Sequence, residues 1–143
     1  PLGAIAKCAC HLATVAPSSF RIPFMRTTKI HQFLAGSEFS NVSYDLQSLR
    51  IHVGRSVVLF KDATGFRVLD EGDLLEFWPA CSAKQGCGIF EIHDGGWLDQ
   101  ESARQGFLSS SSRPNLREFL VTGPDDCVGV LAFSAPELTV GIE

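Results

Sequence analysis

The stretch that most constrains the fold runs from residue 116 to residue 133 and reads LREFLVTGPDDCVGVLAF. Two apolar runs lie on either side of a five-residue segment, TGPDD at positions 122–126. Glycine permits unusual backbone angles, proline fixes φ, and aspartate side chains hydrogen-bond to turn backbone, so this composition favours a reversal of the chain. We therefore predict a β-hairpin across this stretch.

The second strand of the hairpin carries apolar residues on both faces. Val128, Val130 and Ala132 alternate with Cys127 and Leu131. Successive side chains of a strand point to opposite faces, so neither face of this strand presents polar groups to water. We expect a central strand that is buried on both sides, with Cys127 acting as a small core hydrophobe.

Short apolar or alternating runs elsewhere predict further strands, because they are bounded by turn residues. Residues 37–43 are expected to form a polar turn. Residues 27–34 fit a short helix, although a strand would also fit, and residues 99–108 fit a helical turn with Asp99 as N-cap. The predicted strands are 49–53, 57–60, 66–69, 74–78, 89–93 and 138–142, with the first four forming an antiparallel meander. The predicted fold is a single domain, mainly antiparallel β or α+β, with about seven or eight short strands and one or two short helices.

The chain of 143 residues suits one globular domain, which we assign to residues 25–143. Residues 1–24 are expected to form an N-terminal arm. Because the chain starts with Pro-Leu-Gly and its single methionine is Met25, this arm is either partly derived from a cleaved tag, upstream sequence, or an ordered strand. No apolar run reaches the roughly 18 residues of a membrane helix, and we expect no membrane partner.

The net charge of −4 is unevenly distributed. Residues 1–60 carry six basic and two acidic side chains, whereas residues 61–143 carry six basic and fourteen acidic ones. An acidic surface repels nucleic-acid phosphates and attracts basic proteins. We therefore expect a protein partner and no direct contact with nucleic acid. A solvated acidic face without a partner is an equally good interpretation.

The five cysteines are few and odd in number, which favours a reducing, cytoplasmic compartment over a disulfide-bonded scaffold. Cys8, Cys10, Cys81 and Cys87 could in principle supply a tetrahedral zinc site. Their spacing is poor, since neither pair is separated by two residues. Scattered thiols are the preferred interpretation, and we expect no metal or cofactor.

A catalytic cysteine is the alternative function. Glycines flank Cys87 and leave its thiol accessible, and Gln85 could donate to an oxyanion. His93 or His52 could supply the base, with Asp94 as its orienting group. Nothing in the sequence fixes their geometry, and a structural cysteine in a loop is the preferred interpretation. The phosphate-binding and common hydrolase motifs are absent, which favours a binding protein, and a β-barrel carrier of a small ligand is a further alternative.

The C-terminal third, residues 95–138, resembles small acidic immunity proteins of bacterial toxin–immunity systems. The resemblance lies in the run EFLV, the dipeptide TG, the tripeptide DDC, the following V and VL, and a closing Pro-Glu. It implies a protein-binding inhibitor that covers the active site of one cognate toxin or blocks its assembly. It carries no catalytic residues to this chain.

An inhibitor of a basic nuclease toxin would gain association rate and specificity from an acidic surface. Tryptophans commonly anchor such interfaces, although core packing is the preferred role for the two tryptophans here. The predicted partner-binding residues are Glu71, Asp73, Glu76, Trp78, Glu91, Asp94, Trp97, Asp99 and Glu101.

Overall fold

Nine β-strands and one short helix make up the part of the chain described by the structure, a computed structural model covering residues 25–70, 86–107 and 114–141. The strands are β1 (Arg26–Gln32), β2 (Phe39–Tyr44), β3 (Leu49–Val53), β4 (Ser56–Phe60), β5 (Ala63–Asp70), β6 (Gly88–Asp94), β7 (Arg117–Thr122), β8 (Asp126–Ala132) and β9 (Glu137–Val140), and the helix is α1 (Trp97–Ala103). Within these ranges, no helix has the length and apolar character needed to cross a bilayer.

The strands form two antiparallel sheets that pack face to face. Sheet A has the order β1-β6-β7-β8-β5, and sheet B has the order β2-β3-β4-β9. The core lies between the sheets, where Ile51 and Val58 of sheet B meet Val121 and Val130 of sheet A, all four fully buried. The expectation of a mainly antiparallel β domain is confirmed, with one short helix in the described ranges.

The predicted hairpin is confirmed as β7 and β8. Its turn is closed by a hydrogen bond of 2.8 Å from the Gly123 N–H to the Asp126 carbonyl. Strand β8 lies inside sheet A between β7 and β5. Val128 belongs to the core between the sheets, whereas Cys127 belongs to a second apolar cluster on the other face of sheet A. The prediction of burial on both faces is therefore correct.

Two predictions near the N-terminal side of the domain are wrong. Residues 26–32 form strand β1 instead of a helix, and it pairs with β6, as the alternative strand interpretation allowed. Thr27, Thr28 and Ile30 are β-branched, which favours pleated over helical backbone. The polar turn predicted at 37–43 contains β2, whose partner is β3, because cross-strand pairing outweighs its polar composition.

The predicted meander is also wrong beyond its first pair. Strands β3 and β4 do pair, but the turn at residues 61–62 carries the chain across to sheet A, where β5 pairs with β8. The predicted strand 74–78 lies outside the described residues. Helix α1 starts earlier than predicted, with Gly96 in the N-cap position, and Asp99 lies in its first turn.

The antiparallel registers give the sandwich two distinct ends. One end, which we call the helix end, carries the turns at residues 45–48, 61–62 and 133–136 and the chain entering α1. The opposite end, which we call the far end, carries the β1–β2 loop at residues 33–38 and the turns at 54–55 and 123–125.

Candidate protein-binding surface

Several residues predicted as functional lie outside the described ranges. They are the partner-binding candidates Glu71, Asp73, Glu76 and Trp78 and the metal candidates Cys8, Cys10 and Cys81. The other five partner-binding candidates all lie on β6 or α1, towards the helix end.

Glu91 and Asp94 each pair with an arginine. Both oxygens of Glu91 accept hydrogen bonds from Arg117, from Nε at 2.7 Å and from Nη2 at 2.8 Å. This bidentate pair lowers the pKa of Glu91 and raises that of Arg117. At the end of the strand, Asp94 binds Arg26 at 2.5 Å. Both carboxylates are therefore already matched by a cation within the fold.

The acidic residues of α1 are also engaged inside the molecule. Asp99 accepts a hydrogen bond from the Gly95 N–H at 2.6 Å. Glu101 accepts one from the indole Nε1 of Trp97 at 3.1 Å and another from Arg104 at 2.7 Å, and these bonds lower the pKa of Glu101. Trp97 is half-buried with the Arg67 guanidinium over its ring at 4.8 Å. This contact agrees with a packing role for the indole.

These five residues do not form one acidic surface. Glu91 lies opposite Phe119 on the face of sheet A that looks toward sheet B. Its neighbour Glu118 points the other way and contacts α1 on the outer face. The sheet therefore separates Glu91 from Asp99 and Glu101, and arginines lie among all of them.

The sequence interpretation missed Glu118. Its carboxylate is buried and accepts backbone hydrogen bonds from Trp97 at 3.0 Å and Leu98 at 2.7 Å. Burial raises the pKa of Glu118, against these bonds and the nearby Arg67. The strand pattern contains a signal for this residue. Leu116 and Leu120 lie two positions before and after Glu118, so alternation predicts an apolar side chain at position 118.

The structure does not assemble the alternative cysteine site. Cys87 precedes β6 and His93 lies near its other end, so six extended residues hold them about 20 Å apart. His93 Nε2 instead lies 2.8 Å from the hydroxyl of Thr28. The structure therefore does not bring Cys87 together with His93 and Asp94.

Cys87 has a structural setting. Its carbonyl accepts hydrogen bonds from the Phe33 N–H at 3.0 Å and from Gln32 Nε2 at 2.8 Å, which fix the start of β6 against the end of β1. Its side chain packs partly against the core. In the described ranges, no group of three or more His, Cys, Asp or Glu residues is placed to hold a metal ion.

The β-barrel carrier alternative is also not what the strands form. Two separate sheets enclose a core that is filled by side chains, among them Phe60 and Phe119, whose ring centroids are 5.5 Å apart. A cavity of about 550 Å³ between described residues at the far end is an open groove beside Leu34 and Val140.

A different set of carboxylates gathers at the far end. Glu38, Asp125 and Asp126 are exposed and line one shallow pocket of about 90 Å³, together with Phe39 and Pro124. Asp70 lies directly across from Asp126 in the β5–β8 ladder. We call Glu38, Asp70, Asp125 and Asp126 the acidic corner.

The packing of the β7–β8 turn holds the acidic corner together. A Cβ added at Gly123 would lie 2.5 Å from the ring of Phe39, so this glycine lets the turn rest directly on β2. The turn thereby brings Asp125 and Asp126 beside Glu38, although about 87 residues of chain separate them.

The acidic corner differs from the helix end in its ion pairing. The five ion pairs found between described residues all lie towards the helix end or on α1. Within the same ranges, none of them involves Glu38, Asp125 or Asp126. The negative charge of these three side chains is therefore turned towards solvent.

Exposed apolar side chains adjoin the acidic corner along β5. Phe66, Val68 and Asp70 alternate along one face of this strand, and Val68 is 52% exposed. The ring of Tyr44 lies 5.5 Å from that of Phe66, across the side of the sandwich. We call Tyr44, Phe66 and Val68 the apolar flank.

No family model, curated protein or solved structure matches this chain.

Proposed function

We propose that this domain is a protein-binding inhibitor, most plainly an immunity protein that neutralises a cognate bacterial toxin in the cytoplasm. The observation that carries the proposal is the far end of the sandwich. There, the exposed carboxylates of Glu38, Asp125 and Asp126 have no ion-pair partner among the described residues. Exposed apolar side chains begin beside them at Val68 and continue along β5 to Phe66, nearer the helix end. A polar, charged rim beside apolar anchors is the usual composition of a protein interface.

Charge complementarity favours a basic partner. Opposite potentials speed the encounter of two proteins and penalise partners of the wrong charge. A nuclease toxin holds nucleic-acid phosphates with lysine and arginine side chains, and the acidic corner offers carboxylates that could cover the same cations. The apolar flank would then supply contacts that do not depend on charge.

The proposed surface differs in part from the one expected from the sequence. Glu91, Asp94 and Glu101 already have arginine partners, so a toxin would have to break an internal pair to use them. Binding through Asp125 and Asp126 would break none of the ion pairs found among the described residues. The inhibitor function implied by the resemblance to immunity proteins thus remains the proposal, and the acidic corner is its proposed site.

The test starts from affinity capture with the full chain as bait, followed by expression of the captured partner in a bacterial host. The partner alone is expected to arrest growth, and co-expression of this chain is expected to restore it. The double variant D125K/D126K should lose the rescue while remaining folded by circular dichroism.

A control at the opposite end of the sandwich is K61E/E137K, which exchanges the members of an ion pair and leaves the net charge unchanged. It should rescue growth as the wild type does. A partner that is harmless when expressed alone would refute the toxin-inhibitor function. Rescue by D125K/D126K equal to that of the wild type would refute the acidic corner as the binding site.

A further inference from the structure

Strand β5 is an edge of sheet A within the described part of the chain. It pairs with β8 on one side, and no described strand pairs with its other side. Successive residues in an antiparallel ladder direct their N–H and C=O groups to alternate sides of the strand. Every second residue of an edge strand therefore directs both groups away from its sheet, which makes the edge a template for a further strand.

The other three edges formed by described strands are protected against such pairing. β1 has two irregularities in its register with β6, and it carries Arg26 and Lys29. β2 has one irregularity in its register with β3, and β9 is only four residues long. Bulges, charged side chains and short length are features by which natural edge strands avoid pairing with other chains.

β5 lacks the bulges, the lysine and the short length that protect the other edges. It is eight residues long, and its register with β8 is regular from Gly65 to Asp70. Its one basic side chain, Arg67, is turned onto the outer face of sheet A, where the guanidinium lies 4.8 Å from the centre of the Trp97 ring. Phe66 and Val68 remain 37% and 52% exposed along the strand.

We propose that the partner binds at the edge of β5, where an extended segment of the partner's chain joins sheet A as a further antiparallel strand. This inference deepens the proposed function and rests on it for the nature of the partner. Main-chain hydrogen bonds hold the added strand, and its alternate side chains determine specificity.

The side chains of β5 specify the sequence of the added strand. Phe66, Val68 and Asp70 lie on one face, in that order from the helix end to the far end. Side chains that are directly opposite on neighbouring strands contact each other on the same face. The added strand therefore presents apolar residues beside Phe66 and Val68 and a basic residue beside Asp70. Because it runs antiparallel to β5, its basic residues lie at its N-terminal end, next to the acidic corner.

A second copy of this chain fits the same edge less well. Two β5 strands related by a two-fold axis set Asp70 opposite Phe66, Val68 or the other copy's Asp70, and the register centred on Arg67 sets two arginines together. None of these registers places an opposite charge beside Asp70, and like charges directly opposite each other destabilise a strand pair. The charge of this edge therefore favours a basic strand over self-association.

Hydrogen exchange measured by NMR on the full chain tests the added strand. The probe is the capped peptide KRKTVTVT, whose valines align with Phe66 and Val68 when its third residue lies opposite Asp70. In the free chain, alternate amides from Phe66 to Leu69 should exchange rapidly. With the peptide at about ten times its Kd, these amides should slow about tenfold, whereas the amides directed to β8 and those of β1 should not change.

A second peptide and two variants provide the controls. The peptide EDETVTVT keeps the strand-forming part and reverses the charge, and it should give no protection. V68K places a lysine on the β5 edge and should abolish the protection by KRKTVTVT. I30K is the matched variant, because it makes a similar change at an exposed position of β1, and it should retain the protection.

Several outcomes would overturn the added strand. If all four amides exchange slowly in the free chain, the edge is already occupied, and a dimer in sedimentation would identify a second copy as the occupant. Equal protection by both peptides, no protection by KRKTVTVT, or protection without alternation would also overturn it. Growth rescue without protection of β5 would support the inhibitor function alone. Protection of β5 by KRKTVTVT without growth rescue would support the strand site and refute the toxin-inhibitor function.

Discussion

Replacement of Gly88 by alanine tests the packing of β1 on sheet A. A Cβ at this position would lie 2.4 Å from the carbonyl oxygen of His31, whereas real Cβ atoms keep at least 3.0 Å. The obstacle is backbone, so β1 itself must move outward by 0.6 Å or more. The bonds from Phe33 and Gln32 to the Cys87 carbonyl lie next to this contact and would be strained with it. Overpacking of this kind costs about 1–3 kcal/mol.

Gly129→Ala is the matched control, because it makes the same change in a neighbouring part of sheet A. Its Cβ would lie 3.4 Å from Cγ of Arg67, which is an ordinary contact with a flexible side chain. Alanine also restricts the unfolded chain, so G129A should be unchanged or more stable by up to about 1 kcal/mol.

Urea denaturation followed by circular dichroism measures both variants, with equal m-values required for comparison. We expect G88A to be less stable than the wild type by about 1–3 kcal/mol. A G88A variant as stable as G129A would refute the close approach of β1 to β6.

Three further predictions concern the core, the β2–β3 turn and the cysteine. Phe119→Ala should lower the free energy of unfolding by about 3–5 kcal/mol, because the ring is fully buried against Phe60. Urea denaturation measures the change, and a loss below about 1 kcal/mol would contradict the packing of the two sheets. Asp45 accepts hydrogen bonds from Arg50 and from the Gln47 and Ser48 N–H groups, which hold its pKa far below the ordinary range. The thermal midpoint of the wild type should therefore exceed that of D45N above about pH 4, and the difference should shrink towards pH 2; a difference independent of pH would contradict this. Cys87→Ala should leave the affinity for the captured partner unchanged when it is measured by calorimetry. A large loss of affinity would indicate that the thiol takes part in binding.

Local patterns in the sequence predict the hairpin because its strands and turn are contiguous. Glycine, proline and two aspartates fix the reversal, and the alternation of Val128 and Val130 with Cys127 and Leu131 follows directly from strand geometry. The sequence of β1 fits either a helix or a strand, because an apolar face at helical spacing and β-branched residues occur within the same few positions. Only its pairing with β6 decides between the two.

The division into two sheets is not visible in local patterns. Strands β4 and β5 are separated by a two-residue turn, which is the spacing of a hairpin, yet they belong to different sheets. β5 pairs with β8, about 60 residues later, where Ala63 joins the core between the sheets and Leu69 packs against the outer apolar cluster. Long-range pairing of this kind overrides the expectation from turn length.

The candidate site is likewise only partly predictable from local sequence. Asp125 and Asp126 were recognised as turn residues, but Glu38 joins them only through the contact of Gly123 with Phe39. The sequence predicts that the carboxylates of β6 and α1 lie at a partner surface. It does not show which arginines pair with these carboxylates once the chain is folded. Arg117 and Arg26 reach Glu91 and Asp94 through cross-strand neighbours.

The most direct test of the proposed inhibitor is the association rate with the captured partner as a function of salt. Wild type, D125N/D126N and D94N/E137Q are compared; the two double variants remove the same charge from opposite ends of the sandwich. The association rate of the wild type should fall several-fold as salt rises, because screening shortens the reach of charges to about 8 Å at physiological ionic strength. D125N/D126N should associate more slowly with a flatter salt dependence, and D94N/E137Q should match the wild type. Equal rates for the two double variants, or a wild-type rate independent of salt, would contradict the acidic corner as the binding surface.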